Sequence, residues 1–199
     1  MRRVALFGGS FDPPTLGHGA VVANVLASGL VDEVWFVPAG GDRYDRPLVV
    51  AVEDRRALVE HLIADLFPGD PRVRLEAAQL EGRLPGSKTI DLVDFLRAAY
   101  PSTQFFFVIG ADNIDKVGAW REAERLVTLI RFLAVPRVGE VIPAIIPPYV
   151  TVLEGGRHSD IASTTVRERL QRGEAIDDVV PPGVARYIAE RGLYRSVPP

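Results

Sequence analysis

The run Gly8-Gly9-Ser10-Phe11-Asp12-Pro13-Pro14-Thr15-Leu16-Gly17-His18 holds residue types that suit phosphate chemistry. It follows the apolar Val4-Ala5-Leu6-Phe7 and leads into a second apolar stretch, Ala20 to Leu26. That order reads as a buried strand, a glycine turn and the first turn of a helix. Such a crossing aims backbone N–H groups and a helix N-terminus at one spot, which favours an anion there. A histidine at that spot can donate to phosphoryl oxygens. A plain tight turn would account for Gly8 and Gly9, but it explains less of Asp12, Gly17 and His18.

A second stretch, Ile161-Ala162-Ser163-Thr164-Thr165-Val166-Arg167, opens a helix near the other end of the chain. Ser163 or Thr164 can cap that helix, and Arg167 lies about one turn inside it. Free N–H groups, hydroxyls and a guanidinium would converge on one anion. By itself this reads first as an ordinary cap followed by a solvated arginine. The common phosphate loops are absent. No G-x-x-x-x-G-K-[ST] occurs, the lysines Lys88 and Lys116 lie away from any suitable glycine loop, and no G-x-G-x-x-G follows the first strand.

The first run resembles the signature of the nucleotidylyltransferase superfamily, G-G-[ST]-F-D-x-x-[HT]-x-G-H, with Thr15 in the place of the first histidine of the commoner H-x-G-H. The second resembles that superfamily's I-S-S-T-x-[IV]-R, with Ala162 for the first serine. Ser87-Lys88-Thr89-Ile90-Asp91 is similar to the S-Y-T-x-D-T element of bacterial nicotinate-nucleotide adenylyltransferases, with Lys88 for the tyrosine. Ile109-Gly110-Ala111-Asp112-Asn113 and Trp120 are similar to that family's G-A-D…W element, and the tail through Val180-Pro181, Tyr187-Ile188 and Gly192-Leu193-Tyr194 is typical of it.

The resemblance implies transfer of a nucleoside monophosphate from an NTP to a phosphate-bearing acceptor, with release of pyrophosphate. His18 and Thr15 would act at the α-phosphate. Gly8, Gly9, Ser10, Phe11, Gly17, Gly110, Asp112, Ser163, Thr164 and Arg167 would hold the nucleotide, with the last three clamping the leaving pyrophosphate. Arg43, Arg46, Lys88, Thr89 and Trp120 are the candidate acceptor contacts, although a tryptophan on a helix is more often core. Asp12 is expected to orient its loop. Magnesium would arrive with ATP, held mainly by phosphate oxygens and water; no metal ligand set is expected from the chain.

The family usually carries P-H-K after the second strand. Here the loop reads Pro38-Ala39-Gly40-Gly41-Asp42-Arg43-Tyr44-Asp45-Arg46-Pro47, without that histidine and lysine and with two added carboxylates. Nicotinate mononucleotide with ATP is the leading substrate pair. The altered loop and Lys88 keep two alternatives open: another phosphorylated or phosphonate acceptor, or another NTP such as CTP. A nucleotide-binding module without turnover is a further alternative, and the joint presence of His18, Ser163, Thr164 and Arg167 argues against it.

Short apolar runs alternating with helical patterns must position these residues. Strands are expected at 4–7, 33–37, 73–76, 105–109, 131–135 and 150–153. Helices are expected at 18–28, 53–66, 89–99, 120–126, 164–172 and 182–191. Continuous apolar strands such as Phe105-Phe106-Phe107-Val108-Ile109 suit a parallel sheet covered on both faces. The chain is therefore expected to be α/β: a doubly wound, Rossmann-like parallel sheet with helices on both faces and a C-terminal helical tail from about residue 160. At 199 residues it suits one domain spanning 1–199.

A net charge of −3 gives no general nucleic-acid footprint, so any phosphate site is local. The absence of cysteine removes disulfides and thiol nucleophiles. No segment approaches the roughly 20 apolar residues of a membrane span, and the N-terminus does not read as a signal peptide. A cytoplasmic enzyme acting on small molecules, with a homo-oligomer left open, is the expectation.

Overall fold

Six parallel strands form one sheet in the order β3-β2-β1-β4-β5-β6 in a computed structural model of the chain. The strands are β1 (Arg2–Gly9), β2 (Glu33–Pro38), β3 (Val73–Leu75), β4 (Thr103–Gly110), β5 (Arg131–Val135) and β6 (Val150–Val152). The helices are α1 (Leu16–Ala27), α2 (Val52–Leu66), α3 (Thr89–Ala99), α4 (Ala123–Leu129), α5 (Ser163–Gln171) and α6 (Pro182–Arg191), with a 3₁₀ segment at Ala111–Ala119. The structure describes residues 1–41, 48–136, 139, 141–154 and 161–195.

The continuous apolar strands feed two cores. Side chains alternate across a strand with period two. Ala5, Val34, Phe36, Phe106, Val108 and Leu133 therefore face one side, against Val22 and Val25 of α1, Leu58 and Leu62 of α2, Val166 of α5 and Val184 of α6. Val4, Leu6, Trp35, Phe105, Phe107 and Phe132 face the other, against Ile90 and Leu96 of α3, Ile114 and Val117 of the 3₁₀ segment and Leu126 of α4. Each fully buried side chain of this size contributes about 1.5–3 kcal/mol. Apolar side chains on both faces of the central strands thus account for the doubly covered sheet.

The expected elements are present, with one correction. A helix over 120–126 was expected, but the chain takes a 3₁₀ path through Ala111–Ala119, and α4 begins only at Ala123 after Glu122 adopts a left-handed backbone, φ 52. Trp120 closes the 3₁₀ segment and is not on a helix face. The C-terminal helix is bolted to α2 by polar bonds. The Asp65 carboxylate accepts from Gly183 N at 2.5 Å, and Asp54 accepts from the Tyr187 hydroxyl at 3.0 Å.

Because every strand is parallel, the carboxyl ends Gly9, Pro38, Leu75, Gly110 and Val135 share one rim. The strand order reverses between β1 and β4, and a ligand crevice opens at such a switch point. The N-termini of α1 and α3, which follow β1 and β3, return to the same rim, with the positive ends of their dipoles towards it.

Candidate active site

The Gly8–His18 loop is folded over two aromatic rings. A Cβ on Gly8 would lie 2.8 Å from Phe107 Cζ, and one on Gly9 would lie 2.9 Å from Phe11 Cζ. Glycine is needed at both places because rings close directly beneath the backbone. Phe11 itself has φ 50, a conformation unusual for a bulky residue. Strain of that kind costs about 1–3 kcal/mol. Burying the ring returns about 1.5–3 kcal/mol, and Phe11 packs edge-on against Phe7, Phe36 and the His18 ring. The Phe11 side chain therefore belongs to the core, and its backbone is the part that lies in the loop.

Thr15 caps α1, and its hydroxyl accepts from His18 N at 3.4 Å. It is 0% exposed, and its hydroxyl lies 2.8 Å from His18 Nδ1 and 3.1 Å from Ile161 O, with one proton to give between them. The hydroxyl is thus engaged within the protein, beside the His18 ring. The Thr15 backbone N–H donates to His18 Nδ1 at 2.9 Å. Nδ1 is thereby an acceptor, so the neutral imidazole carries its proton on Nε2. Sequence spacing gave the histidine its place at the third position of the helix; the reciprocal cap fixes its tautomer.

The two signature peptides meet. Ser163 Oγ donates to Pro13 O at 2.8 Å, and Arg167 Nη1 donates to Asp12 O at 2.6 Å. Arg167 Nη2 donates to Thr164 Oγ1 at 3.2 Å. With the bond from Thr15 to Ile161, these join residues 12–15 to residues 161–167 across the cleft side of β1. The expected cap is corrected: Ala162 occupies the N-cap of α5 with no side-chain cap bond, because Ser163 is drawn to Pro13 and Thr164 to Arg167.

Asp12 does orient its loop. It is 2% exposed, and its carboxylate accepts from Tyr194 OH at 2.7 Å and from Val49 N at 2.6 Å. Below it, Arg55 is 1% exposed and its Nη1 donates to Ala39 O at 2.5 Å and Ser10 O at 3.3 Å. One buried cation thus holds the loops after β1 and β2 together. Sequence reasoning missed Arg55, because Glu53-Asp54-Arg55-Arg56 looks like a solvated helix face. It also missed Tyr194 as a site partner, since nothing local in the tail shows Asp12 beside it.

Gly17 sits in the first turn of α1, and Gly110 ends β4 at the rim. Asp112 is exposed on the first turn after Gly110, and its carboxylate accepts from Asn113 at 2.8 Å and Lys116 at 3.3 Å. Trp120 is half-buried, edge-on to Phe107 at 5.9 Å and Phe132 at 5.8 Å. Its ring therefore leans on the same Phe107 that lies under Gly8. Lys88 and Thr89 begin α3, where the Asp91 carboxylate accepts from Lys88 N at 2.9 Å. Arg43 and Arg46 lie outside the described residues. Among the described residues no group of three or more His, Cys, Asp or Glu comes together to hold a metal, and no helix is long and apolar enough to cross a membrane.

A doubly wound parallel sheet whose switch point carries a glycine loop joined to the Ser163–Arg167 helix start is an arrangement suited to nucleotide binding. A cytidylyltransferase-like family model matches residues 6–169. The chain belongs to this family and, within it, to the nicotinate-nucleotide adenylyltransferases. It is 36% identical to a probable nicotinate-nucleotide adenylyltransferase of Lactiplantibacillus plantarum, over 98% of this chain and 89% of that protein. It is 32% identical to the nicotinate-nucleotide adenylyltransferase of Bacillus subtilis, over 98% of this chain and all (100%) of that one. The nicotinic acid mononucleotide adenylyltransferase of Plasmodium falciparum, solved in complex with NaAD, superposes with a TM-score of 0.83 at 25% identity, covering 98% of both chains.

Proposed function

We propose that this enzyme transfers the adenylyl group of ATP to nicotinate mononucleotide, giving the dinucleotide precursor of NAD and pyrophosphate. The observation that carries the reading is the joining of the His18 and Arg167 peptides at the switch point, together with full-length relatives bearing that activity in their names. An acceptor phosphate oxygen attacks the α-phosphorus in line. The bond to the bridging oxygen breaks, and its electron pair leaves with pyrophosphate. Such a displacement needs positioning and charge stabilisation more than covalent help from the protein.

In this reading His18 donates from Nε2 to an α-phosphate oxygen as charge builds there. Thr15 holds the ring from behind. Backbone N–H groups near Gly9 and Ser10 help cradle the phosphates. Ser163, Thr164 and Arg167 face the leaving pyrophosphate; the guanidinium has five N–H donors and the two named bonds leave room for more. Asp112 faces the ribose side, and Lys88, Thr89 and Trp120 face the acceptor, with Arg43 and Arg46 as the cationic residues of the altered loop. Magnesium enters as part of the ATP substrate, coordinated by phosphate oxygens and water. We take residues 1–199 as one cytoplasmic domain that needs no nucleic acid or membrane and is free to self-associate.

A second reading, another phosphorylated or phosphonate acceptor or another NTP, rests on Lys88, exposed at the start of α3, and on Asp42 and Asp45 in the loop. The deciding experiment is pyrophosphate release from the purified chain across a panel of NTPs and phosphorylated acceptors, with product mass. Turnover only with ATP and nicotinate mononucleotide is expected. Turnover only with a different pair would replace this reading with the second.

A further inference from the structure

Tyr194 lies three residues beyond α6, and its own backbone is left-handed at φ 61. A tyrosine in that region carries strain, and the turn points the ring inward. The residue is 7% exposed and packs in the same core as Phe11. Its hydroxyl reaches Asp12 Oδ1 at 2.7 Å, across 182 residues of chain. Ring burial alone would be served by phenylalanine. The hydroxyl is the part that meets the phosphate loop.

Asp12 is where that contact matters. Its other oxygen accepts from Val49 N, just beyond the altered loop after β2. Its backbone carbonyl accepts from Arg167, on the α5 start. The side chain is thus fixed from two sides, and the peptide it belongs to seats the guanidinium. Burial first, and then the Asp12 charge, push the Tyr194 phenol far above its ordinary range, against the opposing charges of Arg167 and Arg55. The hydroxyl remains a donor at any working pH.

We infer that Tyr194 is a positioning residue for nucleotidyl transfer, acting through Asp12 to seat Arg167 on the triphosphate. The inference rests on the adenylyl-transfer reading above. A hydrogen bond to a charged group is worth enough to hold such a loop in one geometry. The C-terminal residues therefore set nucleotide affinity although they lie on no phosphate-binding motif.

The test is Tyr194→Phe, which keeps the ring and removes only the hydroxyl. Wild-type pyrophosphate release is measured first, since its failure with every substrate pair would sink the adenylyl-transfer reading and this inference with it, whereas the variants that follow test the inference alone. Rates are normalised to folded protein, so lost stability lowers the yield of active enzyme and leaves KM alone. The KM for ATP should rise about tenfold while kcat changes by less than about threefold, the size of one lost bond to a charge. Asp12→Asn should raise the same KM, and the double variant should be no worse than Asp12→Asn. An unchanged KM in Tyr194→Phe overturns the inference, as does a double variant whose effects multiply. Should Tyr194→Phe not fold, Asp12→Asn with wild-type KM for ATP overturns it alone.

Discussion

The loop after β1 and the start of α5 are tied to each other by hydrogen bonds spanning 150 to 155 residues of chain. Across the rim Lys88 is exposed, and its peptide bonds Asp91 three residues on. Asp12, Thr15 and Arg55 are buried polar groups beneath the first region, whereas the acceptor-side candidates Lys88 and Thr89 sit at the start of one surface helix. Buried polar residues hold a geometry because an unmade bond there costs more than one at the surface. On the adenylyl-transfer reading, the contrast puts nucleotide handling on buried polar ties and acceptor choice on exposed residues.

That division can be broken in four places. His18→Ala should lower kcat by about 10²–10³, the cost of one donor to developing charge, while ATP affinity by titration stays near wild type. Near-normal turnover would remove the imidazole from the reaction. Arg55→Met should cost roughly 1–3 kcal/mol in urea unfolding, because the Ala39 and Ser10 carbonyls lose their buried donor. Unchanged stability would mean the two loops do not depend on that cation. Arg167→Ala should raise the KM for ATP about tenfold through loss of a charge-assisted contact, with the acceptor KM unmoved. Lys88→Ala should shift the acceptor KM by about twofold and leave ATP alone, as befits an exposed charge. A larger effect on ATP than on acceptor would erase the distinction between the two halves.

Much of this site was legible beforehand. The glycine pair, His18 and the serine–threonine–arginine run stood in recognisable order, and period-two burial required a covered parallel sheet. A motif residue beside glycine looks available to ligand, and only the positive φ and three ring neighbours of Phe11 place its side chain in the core. For Thr15 the local sequence shows the helix cap but not the neighbour. Its hydroxyl also meets the partner peptide, and nothing local in sequence shows Ile161 beside it. Trp120 was set on a helix because its neighbours are helix formers, but the left-handed Glu122 interposes a break that side-chain type does not announce.

Residue order alone determined the alternation of strands and helices, the two apolar faces of each strand and the position of an imidazole in the first turn after a glycine crossing. These follow from local periodicity and steric rules that act over a few residues. Tertiary structure alone decided that Asp12 receives Tyr194 and Val49, that Arg55 carries two loops at once and that Thr15 turns inward to Ile161. Those pairings join segments far apart along the chain. The burial of polar groups that makes them strong exists only once both cores have closed around the sheet.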